Sequence, residues 1–219
     1  MKPKNANDPP AWTVLESNVA YDGKWWRLRT DRCQTAEGRI VSQYPVFEYP
    51  DWISLVAFRR EDCKVILTDE YRHGAGRTML GLPGGTVEPH EMALGEAGLM
   101  CAAWRELIEE TGYGNGKLLP LLKASPNPAT HSNTITSYMA FDVQQLAKPT
   151  ESQDDENISV TFHDFPTLLD EINSGRVFMD AMQVAAILSA AISIFRNRVP
   201  ELRSLADAIS ATLLGPERS

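Results

Sequence analysis

Three glutamates in the segment from Arg105 to Gly112, RELIEETG, have the spacing of a metal-binding helix face. At about 3.6 residues per turn, Glu106 and Glu110 lie one turn apart, and Glu109 lies beside them. Like charges at this spacing destabilise a helix unless a cation lies close by. Carboxylate oxygens are hard ligands that suit Mg²⁺ or Mn²⁺ better than zinc. We therefore predict a divalent metal site here, with a solvated acidic helix face as the alternative.

The flanking sequence predicts the elements that hold these carboxylates in place. An alanine-rich lead-in and Leu107 supply a buried helix face, and Gly112 supplies a C-cap, so we expect a helix from about residue 95 to 111. The Gly84-Gly85 turn lies upstream, where glycines let backbone groups approach a metal and its ligand. We expect Arg105 to pair with a carboxylate and fix its rotamer instead of contacting substrate.

These residues resemble the Nudix box, G-x5-E-x7-R-E-U-x-E-E-x-G-U, where U is a bulky apolar residue. The matching positions, in order, are Gly85, Glu91, Arg105, Glu106, Leu107, Glu109, Glu110, Gly112 and Tyr113. The chain departs from the pattern at one point, because thirteen residues separate Glu91 from Arg105. The six extra residues fall within Met92 to Met100. Either Glu91 or Glu96 therefore takes the first acidic position, and the distance from Gly85 favours Glu91.

Beyond the box, residues 12 to 190 resemble the ADP-ribose pyrophosphatase branch of the Nudix family. The markers are an N-terminal β-meander, the segments EYRHG and LPGG, a proline in the loop after the box and a late acidic loop. The resemblance implies a Nudix-type α/β/α sandwich with a mixed sheet, an N-terminal antiparallel β-meander and C-terminal helices. It also implies a homodimer formed partly by the N-terminal sheet.

The activity implied by the resemblance is Mg²⁺-dependent hydrolysis of a nucleoside diphosphate linked to another group, such as ADP-ribose or a nucleotide sugar. It adds the Gly85 carbonyl to the metal ligands Glu106, Glu109 and Glu110. Arg72, Glu91 and His131 are the candidate substrate residues, although an arginine that ends a strand is as often a surface ion pair. Glu156, in an acidic loop, is the candidate general base, with Glu106 as its rival.

Two other functions share parts of this pattern. A nucleoside triphosphate pyrophosphatase carries the same box but usually lacks an N-terminal meander. A non-catalytic Nudix-like domain that senses a nucleotide sugar would be favoured by a broken box. Here every charged residue of the R-E-x-x-E-E half is present, and only the insertion supports a non-catalytic domain.

Composition narrows the class of protein. The 219 residues are 43% hydrophobic and 23% charged, which is typical of an ordinary soluble globular protein. A net charge of −8 argues against binding a nucleic-acid polymer, because phosphate backbones are held by clustered Lys and Arg. Three widely spaced cysteines indicate reduced thiols, and no apolar run has the length of a membrane span. We expect a cytoplasmic protein without a membrane partner.

The order of strand and helix patterns predicts four parts. Residues 1–11 are polar and proline-rich and are expected to be flexible. Residues 12–49 contain about three alternating segments separated by turns, which predicts an N-terminal β-sheet subdomain for dimerisation. Residues 50–195 are the predicted Nudix hydrolase domain, and residues 196–219 a C-terminal helical extension.

Overall fold

The computed structural model describes residues 11–149, 158–196 and 199–214. The described residues form two compact units, one built from residues 11–50 together with 125–133, and the other from 51–124 and the described residues after 133. The second stretch of the first unit is a loop that the chain makes between two strands of the second unit.

The N-terminal unit is a three-stranded antiparallel sheet in the order β1-β2-β3. Its strands are β1 (Thr13–Asp22), β2 (Arg27–Gln34) and β3 (Ile40–Glu48). Loop 125–133 joins the β3 edge, because Phe47 N–H donates to the Thr130 carbonyl at 2.7 Å and Ser132 N–H donates to the Phe47 carbonyl at 3.1 Å. All ten residues of β1 are exposed in the single chain.

A mixed sheet of eight strands forms the centre of the second unit. The strands are β4 (Trp52–Arg59), β5 (Val65–Arg72), β6 (Arg77–Gly81), β7 (Gly84–Thr86), β8 (Tyr113–Gly114), β9 (Lys117–Ala124), β10 (Ile135–Gln145) and β11 (Ser159–His163). The central path is β11-β5-β4-β10-β8, and β4 pairs with β10 in parallel. β4 and β10 are buried over most of their length, as expected for strands covered on both faces.

Helices cover both faces of this sheet. They are α1 (Pro89–Met92), α2 (Glu96–Thr111), α3 (Phe165–Asn173), α4 (Ala181–Phe195) and α5 (Ala206–Leu214). Leu107 of α2 packs with Leu55 and Ala57 in one core cluster. Ile187 of α4 packs with Val56 in the other, because neighbouring strand residues point to opposite faces. The α/β/α sandwich with a mixed sheet, N-terminal antiparallel strands and C-terminal helices is confirmed.

The element boundaries differ from the sequence expectation mainly near the C-terminus. Within the expected C-terminal helical extension, Pro200–Leu205 is a 3₁₀ helix and α5 begins at Ala206. Leu202 has φ −105° and ψ 16°, which interrupts regular helical geometry. Helix α2 begins one residue after its predicted start and ends where predicted.

Candidate active site

Helix α2 carries the three acidic residues in its last two turns, and Glu106 is buried on the same side as Ala102 and Ala103. Ala102, Ala103 and Leu107 are fully buried against the sheet, which fixes the rotation of the helix. The helix ends at Gly112, whose φ of 74° is in the left-handed region and whose N–H donates to the Ile108 carbonyl at 2.9 Å. The orientation of the acidic face therefore follows from packing and from this cap.

The glycine turn at β7 lies directly against the acidic face. Gly84 N–H donates to Glu110 Oε2 at 2.9 Å. A Cβ atom on Gly85 would lie 2.6 Å from Glu106 Oε1, and one on Gly84 would lie 2.1 Å from the Ile53 carbonyl oxygen. A side chain at Gly84 would clash with the backbone of β4, so glycine is required there, and a side chain at Gly85 would displace the Glu106 carboxylate.

Arg105 links the carboxylates of the site into one network. Its Nε donates to Glu91 Oε1 at 2.9 Å and its Nη2 donates to Glu91 Oε2 at 3.0 Å. Its Nη1 donates to Glu106 Oε1 at 2.8 Å and to Glu109 Oε2 at 3.2 Å, and Nη2 also bonds the Thr86 carbonyl at 2.9 Å. A planar guanidinium suits this multiple recognition, which a lysine would not reproduce.

Glu91 is the ion-pair partner of Arg105, whereas Glu96 is the first residue of α2. The Glu91 side chain is 4% exposed, and its Oε2 also accepts the Glu88 N–H at 2.8 Å within a capping box. The extra residues of the box form the end of α1, a turn and the first turn of α2. Both Glu91 oxygens are engaged, which fits a positioning role, and a substrate contact by Glu91 stays a prediction.

Burial and the positive charge of Arg105 shift the pKa values of the carboxylates of the network in opposite directions. The hydrogen bonds from Arg105 lower the pKa of Glu91, because they stabilise its ionised form. Burial raises the pKa of Glu106, partly offset by the positive charge of Arg105. The carboxylate of Glu91, in turn, raises the pKa of the guanidinium. A cation beside Glu106 would favour its charged form further.

The oxygen atoms near the glycine turn fit a hard divalent cation. Glu106 and Glu110 lie against Gly84-Gly85, and Glu109 is half exposed and accepts a hydrogen bond from Arg105. Across the described ranges, no three His, Cys, Asp or Glu side chains already form a compact metal cluster. Glu106, Glu109, Glu110 and the Gly85 carbonyl are the residues that would hold Mg²⁺ or Mn²⁺.

The remaining predicted site residues lie elsewhere. Arg72, at the end of β5, donates from Nη2 to the nearly buried Glu70 at 2.6 Å, so the ion-pair alternative is observed. His131 belongs to the N-terminal unit, where its ring stacks on Tyr49 with 5.2 Å between centroids and a 9° interplanar angle. Glu156 lies outside the described residues. Substrate contacts by Arg72 and His131 stay predictions.

Sequence analysis did not identify Gln183, which orders the segment leading into the glycine turn. Its Oε1 accepts the Leu82 N–H at 3.0 Å, from α4 on the far side of the sheet, and its amide lies next to Gly81. The available signal was a glutamine near the start of a helix, AMQVAAILSAAISIF, whose other polar residues are two serines. Its partner Leu82 lies 101 residues away in the chain, so no local sequence pattern indicated this contact.

Comparison with known proteins agrees with this arrangement. A sequence model of the Nudix domain matches residues 50–181, which include the glycine turn and the whole of α2. The chain belongs to the Nudix family. A second match, to the N-terminal domain of nucleoside diphosphate sugar hydrolases, covers residues 12–47. The expected family and its ADP-ribose pyrophosphatase-like branch are confirmed, as is the class of Nudix pyrophosphohydrolase.

Three similar proteins carry names that describe different activities. A putative Nudix hydrolase 2 of Caenorhabditis elegans is 32% identical over 123 residues, which are 52% of this chain and 52% of that protein. The chain thus spans about half the length of that relative. ADP-ribose pyrophosphatase of Bacillus subtilis is 25% identical, and a methanol dehydrogenase activator of Bacillus methanolicus is 21% identical, each over 80% of this chain and 89% of the relative.

A solved structure of an ADP compounds hydrolase shares the fold of this Nudix protein. The TM-score is 0.71 at 21% sequence identity, and the match covers 89% of this chain and all of that chain. In the part of the sequence that the structure describes, no helix combines the length and apolarity needed to span a membrane.

Proposed function

We propose that this Nudix protein hydrolyses the phosphoanhydride bond of a nucleoside diphosphate linked to a further group, with Mg²⁺ as the cofactor. The observation that carries the proposal is the close approach of Glu106, which Arg105 holds, and of Glu110, which Gly84 N–H holds, to the Gly84-Gly85 turn. The N-terminal domain match favours nucleotide sugars over triphosphates. Two relatives are named for activity on ADP-ribose and on ADP compounds, which favours an adenosine diphosphate derivative.

Attack of water on a diphosphate is slow because the phosphate charge repels the nucleophile. When bound, the divalent cation neutralises this charge and lowers the pKa of a water molecule. The chain supplies the ligands and their positions. Arg105 orients Glu106 and Glu109 from a guanidinium that Glu91 holds in place, and Glu110 is oriented by Gly84 N–H.

A proton acceptor is also needed, because a metal-bound carboxylate is a weak base. We propose Glu156 for this role, on the sequence argument that it follows the box in an acidic loop. Glu106 is the rival, since it is a buried carboxylate next to the glycine turn and its pKa is raised. The choice between them is testable by mutation.

The proposed activity is tested by turnover with a panel of compounds in Mg²⁺. ADP-ribose, ADP-glucose, a dinucleotide and ATP are incubated with the protein. For the first three a coupled phosphatase converts the released phosphomonoesters to inorganic phosphate, and for ATP the AMP formed is measured by chromatography without the phosphatase. We expect kcat/KM to be highest for an ADP-linked sugar and activity to stop when EDTA is added. Preferred hydrolysis of ATP would instead support a triphosphate pyrophosphatase. Absence of turnover on the whole panel would support a nucleotide-sensing domain.

A further inference from the structure

A cavity of about 480 Å³ lies between the start of α2 and the strands β9 and β10. Its volume is within the range of roughly 300–1,000 Å³ that is usual for small-molecule sites. Apolar walls come from Met92, Leu99, Pro120 and Leu122. It is separate from the Arg105 network, since its lining includes neither Arg105 nor the three metal-binding glutamates.

The insertion in the Nudix box builds one wall of this cavity. Met92, Gly95, Glu96 and Leu99 all line it and all fall within the segment that holds the six extra residues. The segment is fixed against α1, because a Cβ atom on Gly98 would lie 1.7 Å from the Glu91 carbonyl oxygen. A Nudix box of ordinary length would lack part of this wall, so the cavity is a property of this chain.

The polar groups in the cavity can recognise hydroxyl groups. Asp51 and Glu96 supply carboxylates, and Asp51 is oriented by the Thr134 N–H, which donates to its Oδ1 at 2.7 Å. Tyr138 and Thr136 supply hydroxyls, and the Tyr138 side chain is 3% exposed. Burial, together with the negative charge of Glu96, raises the pKa of Tyr138, so its hydroxyl stays protonated and can donate.

The charge of the lining disfavours phosphate. Two carboxylates and the single ammonium of Lys123 give the lining residues a net negative charge. A phosphate placed here would be repelled, whereas hydroxyl groups donate readily to carboxylates. Apolar walls with a few convergent polar groups suit an uncharged polyhydroxylated ring, which has both apolar faces and a polar edge.

The cavity lies within reach of the metal-binding turn. Val87 N–H donates to the Asp51 carbonyl at 2.8 Å, and Val87 is two residues from Gly85. At an extended rise of about 3.3 Å per residue, this separation is about 7 Å. A group attached to the far side of a diphosphate at the Gly85 turn is therefore close enough to enter.

We infer that this cavity binds the polyhydroxylated group linked to the diphosphate, and that the box insertion determines which sugar is accepted. The inference rests on the proposed function. Tyr138 and Glu96 bond the sugar hydroxyls, and Met92 and Leu99 contact its apolar face. The residues are specificity determinants, because they lie away from the bond that is hydrolysed.

The test compares binding of two analogues that cannot be hydrolysed. In each, a methylene group replaces the oxygen that bridges the two phosphates of ADP-ribose or of ADP. Isothermal titration calorimetry in Mg²⁺ gives the two dissociation constants, and their ratio measures the contribution of the sugar without any turnover. We expect wild type to bind the ADP-ribose analogue at least about 10-fold more tightly, as one or two hydrogen bonds would give.

Three variants should reduce this ratio. Met92→Trp fills the cavity from an exposed position, Tyr138→Phe removes one hydroxyl, and Glu96→Gln removes one charge. The matched controls are Leu94→Trp, in the same insertion but outside the lining, and Glu171→Gln on α3. We expect each cavity variant to lose about 5-fold or more in the ratio, while the controls and the affinity for the ADP analogue stay unchanged.

Equal affinity of wild type for both analogues would overturn the inference, as would cavity variants that keep the wild-type ratio. The thermal unfolding midpoint of each variant shows whether a loss comes from misfolding, and Tyr138→Phe is the least disruptive change. Failure of the proposed function is a separate result, because it appears as absent turnover of ADP-ribose itself while the binding ratio is still measured.

Discussion

Glu91 accepts two parallel hydrogen bonds from Arg105, at 2.9 Å from Nε and 3.0 Å from Nη2, across thirteen intervening residues. This pairing stabilises the insertion against α2 and leaves Nη1 of Arg105 to hold Glu106 and Glu109. The positions of Glu106 and Glu109 therefore depend on Arg105, which is itself held in place by the nearly buried Glu91.

The Glu91–Arg105 pair predicts a stability effect that depends on pH. Glu91→Gln should lower the free energy of unfolding at pH 7 by about 2 kcal/mol, less than the usual cost of breaking a fully buried pair because Arg105 keeps other partners. The pKa of Glu91 is below its ordinary value of 4.5 in the folded protein. The wild-type advantage is thus present above the unfolded-state pKa and is lost as pH falls through the folded-state value.

Urea denaturation of the wild type and of Glu91→Gln between pH 7 and pH 3 measures the difference in their free energies of unfolding. The two free energies of unfolding should converge at the acidic end. Glu96→Gln is the control, and it should show no such convergence if Glu91 is the partner of Arg105. A difference that stays constant with pH would contradict the electrostatic origin of the effect.

The proposed metal site predicts that Glu109→Gln and Glu110→Gln lower kcat by several orders of magnitude while the fold is retained. Each variant removes one negative ligand from the set that would hold Mg²⁺. The unfolding midpoint without metal should change little, because Glu109 is half exposed and its bond to Arg105 contributes only about 0.2–1 kcal/mol. Glu171→Gln is the control, with normal turnover. Near-normal activity of either variant in saturating Mg²⁺ would exclude that residue as an essential ligand.

The N-terminal sheet predicts a homodimer. Strand β1 is exposed over its whole length, and Val19, Tyr21 and Trp25 are each at least half exposed. A three-stranded sheet with this much apolar surface is expected to bury it against a partner. Light scattering at micromolar concentration should give twice the chain mass, and Val19→Glu should shift the protein towards monomer. Leu188→Glu, at an exposed apolar site of the other unit, is the control that should leave the mass unchanged. A monodisperse wild-type monomer would disprove the prediction.

The general base is assigned by comparing two variants of the Nudix protein. If Glu156 accepts the proton, Glu156→Gln should lower kcat by roughly 10²–10⁴-fold with little change in the Mg²⁺ concentration needed for half-maximal activity. Glu106→Gln should instead impair metal dependence as well, because Glu106 is a proposed ligand. Unchanged kcat in Glu156→Gln, together with loss of activity in Glu106→Gln, would assign the base to α2.

Local sequence determined the elements of the site. The helix predicted from about 95 to 111 is Glu96–Thr111 in the structure, and the three segments predicted within residues 12–49 are β1, β2 and β3. Hydrophobic periodicity and glycine caps act over a few residues, so a sequence records them directly. The spacing of Glu106, Glu109 and Glu110 was enough to indicate the metal chemistry, since these residues share one turn.

Tertiary structure decided which distant residues meet. The spacing left Glu91 and Glu96 as alternatives, and only the folded chain pairs Glu91 with Arg105. The loop containing His131 joins the N-terminal sheet, and Gln183 bonds the segment before the glycine turn from 101 residues away. The sequence revealed six extra residues but not the open cavity that their segment lines together with β9 and β10. Each of these contacts joins segments far apart in the chain, and their geometry follows from how the sheet and helices pack.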